Sequence, residues 1–399
     1  MAIKMDVSSL TAEDGGQLHL HFKNGESLPV ETPLSLNYRV DADLYEVHFL
    51  LKKDLKESEI FQVYDARKQR IGWCIPALAL SSDLHDYSEN VHFLNYASAA
   101  MKNVLRAKYV NQFGVNIDLE LNSLKLSDIY HSNVAILVIN KNSLEVDDRF
   151  EIDRAVPSLA KYGYVKFLSE YSCEIFLTAD GPSDSKLKLK KVSEDLEQLV
   201  LISQLYHQLF YCESKAEFRF FFLYQLFELL LEEVFHCEEH RVFNEIEKAR
   251  TSGKIKDALA KIGSLTSEKT RMNSLFSVYT KVDSAALLSL KSACTDFLRL
   301  AELDVPNECG QCLYAVRNKF IHEYWRSPED TSDRLNFVAN ETIEVLEQIF
   351  ASFESPHKID DSNQADPSRA TKTPAKYHPL LTRGWSCLQD VYKNRKLFR

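Results

Sequence analysis

Nowhere does the 399-residue chain hold an uninterrupted run of the roughly 18 to 20 apolar residues that a membrane-spanning helix needs. Its most apolar stretch, Phe220 to Leu231, is broken by Gln225 and Glu228. The opening Met1-Ala-Ile-Lys-Met-Asp lacks the apolar centre of a secretory signal, so a cytoplasmic protein with no membrane partner is expected. Cysteine is sparse for a secreted disulfide framework, with eight residues in the whole chain, and a reducing compartment would keep most of them as thiols. An excess of basic charge is also missing. The net charge of −10 argues against a surface that grips nucleic acid over its whole area and leaves room only for a local basic patch. Residues 1–190 contain no internal repeat, no glycine-rich phosphate loop and no paired-carboxylate signature, and no nucleophilic triad follows from spacing anywhere.

What is present divides into two kinds of pattern. In residues 1–190 short alternating or β-branched stretches predict strands at Gln17–Lys23, Tyr45–Leu51, Ile60–Tyr64, Val115–Leu121, Val134–Ile139, Tyr164–Phe167 and Cys173–Leu177. Between them Phe93, Ala97, Ala100, Met101, Val104 and Leu105 recur at helical spacing, which predicts one helix packed on the sheet. The turn cluster Asp180-Gly-Pro-Ser-Asp-Ser marks the change to helical periodicity, and a boundary is expected near residue 190. The fold class is α+β, with a β-rich mixed N-terminal domain followed by an all-α bundle over 191–356.

Within that bundle Ser193 is placed to cap a first helix, and a second runs from about Lys215 to His236 or beyond. Shorter helices are expected at about 254–262, 267–278 and 284–302, then a helix around Arg317 after the punctuation of Pro306 and Gly310, and a last one over Arg334–Phe353. Residues 357–399 read as linker followed by a basic tail with nine basic and four acidic side chains.

The helix around Leu313 to Trp325 carries an arginine, an amide and a histidine among apolar residues. At about 100° per residue Asn318 and His322 share a face, while Arg317 lies about 140° from His322. One straight helix therefore cannot easily aim both at a single phosphate, whereas two copies across a symmetric interface can. The residue types suit metal-free RNA cleavage. Histidine titrates near neutrality and can move protons, arginine offers a permanently charged fork to phosphate oxygens, and Asn318 can orient either.

Arg317-Asn318-Lys319-Phe320-Ile321-His322-Glu323-Tyr324 resembles the Arg-polar-x3-His motif of the HEPN superfamily, in the Arg-x4-His-x-Tyr form of its toxins. Phe218-Arg-Phe-Phe-Phe-Leu-Tyr-Gln-Leu-Phe-Glu-Leu-Leu likewise resembles the aromatic-rich core helix of that family. The resemblance covers about 190–355 and leaves residues 1–190 untouched. It implies a helical bundle, usually dimeric, whose active members are metal-independent endoribonucleases of toxin–antitoxin, abortive-infection and other antiviral systems, with the motif at the dimer cleft. Arg317, Asn318 and His322 would then be catalytic. Tyr324 would be a supporting residue; such a tyrosine is more often a core residue, although in paired toxins of the family it can be modified by a nucleotidyltransferase partner. RNA, a second copy of the chain and a partner antitoxin or trigger protein are the implied partners, with no cofactor required. Some members only bind or dimerise, so a catalytically inactive interaction domain is the alternative.

Further residues carry two readings each. Glu228, inside the apolar run, either pairs with Arg317 and positions it or lies on an exposed face. Lys319 beside the motif, and Lys393, Arg395, Lys396 and Arg399 in the tail, either contact RNA phosphates or form a solvated basic surface. His236 and His240, four apart, and the Cys309-x-x-Cys312 half-site could together hold a structural zinc, or be surface histidines and reduced thiols. A metalloprotease is disfavoured because Cys237 occupies the position after the first histidine where the catalytic glutamate is needed.

Overall fold

In the computed structural model, residues 7–12, 18–36, 39–106, 122–145, 149–168, 175–177, 179, 181–182, 184–196, 198–211, 215–249, 267–323 and 331–355 are described. The fold is α+β. Strands β1 (Val7–Ala12), β2 (Leu18–Phe22) and β3 (Ser27–Val30) form an antiparallel meander. A six-stranded sheet follows, built from β4 (Tyr45–Lys52), β5 (Phe61–Tyr64), β6 (Arg70–Pro76), β7 (Val134–Asn140), β8 (Tyr164–Lys166) and β9 (Lys186–Lys188) in the order β8-β4-β7-β6-β5-β9. All of its pairings are antiparallel except β5 with β9.

The sheet is buried on both faces, which explains why β7 reads Val-Ala-Ile-Leu-Val-Ile without alternation. Val134, Ile136 and Val138, with Phe49, Trp73 and Ile75, face helix α1 (Val91–Val104), and the Trp73 ring meets Phe93 edge-on at 5.4 Å. Ala135, Leu137 and Ile139, with Leu50, Val63 and Cys74, face the opposite way onto Ile152, Ala155 and Leu159 of a later helix. Asn90 caps α1 by accepting from the Phe93 backbone N–H at 3.0 Å. Gly72 sits on β6 where an added Cβ would drive into the Val138 carbonyl and meet Ile139 Cδ1 at 2.9 Å. Gly72→Ala is expected to cost about 2 kcal/mol by prising β6 from β7. Urea denaturation reads this directly, and an unchanged midpoint would contradict the close approach.

The helices after α1 are α2 (Leu126–Ile129), α3 (Ile152–Lys161), α4 (Leu199–Tyr211), α5 (Ala216–Ala249), α6 (Glu268–Ser274), α7 (Ser284–Leu300), α8 (Cys309–Glu323) and α9 (Thr331–Ser352). Their apolar stripes meet in one core with the α1 face of the sheet, running through Tyr206, Phe210, Phe227, Phe297, Val316 and Phe350. Residues 1–356 form one compact unit. Among the described residues no helix is long and apolar enough to cross a membrane.

A polar knot ties α3, the strand-to-helix connection and α9 together. The Ser158 hydroxyl, fully buried, donates to Glu347 Oε1 at 3.0 Å and accepts from the Lys190 N–H at 2.9 Å, while Lys190 Nζ reaches Glu347 Oε2 at 2.8 Å. One turn away Lys161 Nζ pairs with Glu344 Oε1 at 2.7 Å, and the two glutamates outweigh burial to raise the lysine above its ordinary pKa.

Several expected boundaries shift. Ser193 does not cap a helix: its N–H donates to the Phe350 carbonyl at 2.8 Å, and α4 begins at Leu199. The last helix begins at Thr331 rather than Arg334. The helix expected at 267–278 ends at Ser274 and continues as a π turn over Leu275–Tyr279. Ile175–Leu177 is not a strand, although its Phe176 N–H bonds the Phe210 carbonyl. The strand expected at Val115–Leu121, the helix at about 254–262 and the tail after 355 lie outside the described residues.

Candidate functional site

Helix α8 is seated by Gly310, which lies inside it rather than before it. A Cβ there would meet Met272 Cγ at 2.8 Å and Phe276 Cδ2 at 3.1 Å, so only glycine lets α8 approach α6 and the π turn this closely. Two turns on, Arg317 turns inward to α5. Its Nη2 meets Glu228 Oε1 at 3.3 Å, its guanidinium lies 5.5 Å from the Tyr224 ring centroid, and Nη1 donates to Asn318 Oδ1 at 3.1 Å. Gln225 Nε2 donates to the second Glu228 oxygen at 2.7 Å, and the buried Tyr224 hydroxyl donates to Glu268 Oε1 at 2.6 Å.

Burial disfavours the charged guanidinium, but Glu268, Tyr224 and Glu228 overcome that effect and raise Arg317 above its ordinary pKa. The cation is therefore permanent. Its Nε is buried and has no hydrogen-bond partner among the described residues, so part of the fork is unspent. Burial raises the Tyr224 phenol well above its usual range, with the hydrogen bond to Glu268 adding to it.

Burial also raises the Glu228 carboxyl, against the pull of Arg317. The folded state thus holds this proton to higher pH than the unfolded chain. The group's contribution to stability is fullest in acid and falls as pH rises from the ordinary value of 4.5 toward the raised one. Glu228→Gln is expected to flatten that decline, by a small amount because the side chain is 40 % exposed. Stability measured against pH in both proteins tests this, and identical slopes would refute it.

His322 is placed differently. It occupies the last turn of α8, exposed, next to the 47 % exposed Ile321, and makes no hydrogen bond or ion pair to any described residue. One chain therefore brings Arg317, Asn318 and Glu228 together and leaves His322 apart from them. Lys319 is half-buried on the same helix. Tyr324, Lys393, Arg395, Lys396 and Arg399 lie outside the described residues.

Among the described residues His236, Cys309 and Cys312 do not form one group of potential metal ligands. His236 is paired on its own helix with Glu232 at 3.9 Å and Glu239 at 3.7 Å, and among the described residues no group of three or more potential ligands forms. The His240 side chain is outside the described set. Cys309 and Cys312 face a third thiol instead, the fully buried Cys294. Burial, reinforced by Cys312, pushes the Cys309 thiol up to about 12, and the Cys312 thiol donates to the Pro306 carbonyl at 3.1 Å. Burial holds all three thiols above their ordinary pKa. A CxxC spacing marks two cysteines one helical turn apart and does not say what the turn faces.

Tyr224 and Glu268, which frame Arg317, have no motif of their own, and only their nearness in the folded bundle shows their role. No protein-family model, curated protein or solved structure matches the chain.

Proposed function

We propose that the chain is a metal-independent endoribonuclease of the HEPN type, acting in the cytoplasm in antiphage defence or a toxin-like stress response. The observation that carries this reading is the division of labour on α8. A permanently charged, half-buried Arg317, braced by Glu228 and Tyr224, shares a helix with an exposed, unpartnered His322. Two copies apposed at this helix would bring two arginines, two asparagines and two histidines to one cleft. One imidazole takes the 2′-hydroxyl proton, the freed oxygen attacks phosphorus, and arginine stabilises charge on the phosphorane. The second imidazole, protonated, gives its proton to the leaving 5′-oxygen, so the products are a 2′,3′-cyclic phosphate and a 5′-hydroxyl. No metal is needed. The β-rich N-terminal part would restrain the nuclease or sense its trigger.

A second reading has its own support. Glu228 already engages Arg317, so the pair could serve to lock α8 onto α5 in an interaction protein that dimerises without cleaving. Purified protein incubated with total RNA in EDTA, beside Arg317→Ala and His322→Ala, separates the two. Cleavage that depends on both residues is expected. Its absence, even with the presumed trigger present, would leave the interaction protein as the surviving reading.

A further inference from the structure

The sheet and the bundle enclose a second polar site, away from α8. A cleft of about 500 Å³ opens between the end of β4 and helices α5 and α9, within the size range of small-molecule sites. It is lined by five cations, Lys52, Lys53, Lys56, Lys161 and Arg219, against three carboxylates, in a chain whose net charge is −10. Two of the carboxylates are committed: Glu59 to Lys52 at 2.8 Å and Glu344 to Lys161 at 2.7 Å. The third, Asp54, stands beside Lys53 and Lys56, neither of which has an ion-pair partner among the described residues.

The basic lining is also built rather than incidental. Lys52 is 3 % exposed, braced by Glu59 and by the Tyr164 ring 5.3 Å from its Nζ. Arg219 is 8 % exposed and is aimed by the side-chain oxygens of Asn336 at 2.6 Å and Asn340 at 2.8 Å. Taking two cations this far out of water is costly, and fixed orientation is what anion recognition uses. The cations come from three directions, which fits a ligand with more than one anionic group rather than a single carboxylate.

We infer that this cleft binds a small phosphorylated ligand of nucleotide size through its phosphates. The inference does not use the Arg317 helix and stands or falls apart from the nuclease reading. Isothermal titration of the full chain with ATP at low salt is expected to show saturable binding that weakens as salt is raised, because the contacts are ionic. Adenosine, lacking phosphates, is expected not to bind. The pair Lys53→Glu and Lys56→Glu, on the rim and outside the buried network, should weaken ATP by about tenfold or more with an unchanged melting temperature. Arg317→Ala and His322→Ala should leave ATP binding intact. No saturable ATP binding at millimolar concentration, adenosine binding as well as ATP, or binding indifferent to the rim lysines would overturn the assignment.

Discussion

Replacement of His322 by alanine is expected to lower RNA cleavage by about 10²- to 10⁴-fold, the range typical of losing a general acid or base. Because the imidazole is exposed and unpartnered, the melting temperature should not move. Arg317→Ala should lose activity to a similar degree but also destabilise the bundle, since it strips Glu228 of its counter-ion and uncovers the Tyr224 ring. Arg317→Lys keeps the charge without the planar fork and should recover stability better than cleavage. Mixing the two inactive variants gives the sharpest readout. A cleft shared by two chains keeps one intact arginine and one intact histidine in the mixed dimer, so activity should rise above that of either variant alone while staying well below wild type, because the second imidazole is missing. If each chain works alone, mixing restores nothing. Cleavage in EDTA, followed on a defined RNA, measures all four outcomes.

Lys190→Met is expected to cost about 3 to 5 kcal/mol, the usual consequence of leaving a buried charge without its partner. Glu347 is 2 % exposed and sits between the Lys190 ammonium and the Ser158 hydroxyl, so without Lys190 its one remaining hydrogen-bond donor is neutral and Lys161, itself paired with Glu344, acts on it only through space. Burial, with the Glu347 charge adding to it, raises the nearby Tyr206 phenol well above its ordinary pKa. Adding Glu347→Gln to Lys190→Met should restore most of the loss, because the amide keeps the hydrogen bond to Ser158 and carries no charge to strand. Urea denaturation of the single and double variants tests this, and a double variant as unstable as Lys190→Met would show that packing rather than charge holds the knot.

The regular parts of the fold were readable because their periodicity is local. β4, β5, β7 and β8 follow their β-branched and aromatic runs, and α5, α7 and α9 follow their apolar stripes. β6 was hidden because Arg-Ile-Gly-Trp-Cys-Ile-Pro includes a glycine and a proline and is buried on both faces, so it shows no alternation. Pro157 likewise masked α3, where it sits inside the helix. The Arg317 motif could be found from residue types and spacing alone. Its setting was open only in part: the pairing of Glu228 with Arg317 was one of two readings, and the structure shows it, whereas Glu268 holding Tyr224 depends on three helices meeting, and no window of sequence contains that meeting. What the CxxC pair faces was hidden for the same reason, since Cys294 comes from α7.

Helix α5, 34 residues without a break, would span about 51 Å if regular. It carries Arg219 in the basic cleft and, nine residues on, Glu228 beneath Arg317. Nine residues advance a helix by about 13 Å and turn it through half a circle, so the two side chains leave from opposite faces. Both arginines are largely buried, so salt screens the field between them far less than it would between exposed charges. The rigid length of α5 gives the two places a second link, a lever moving as a body, and a signal carried that way would survive high salt even where the ligand's own affinity does not.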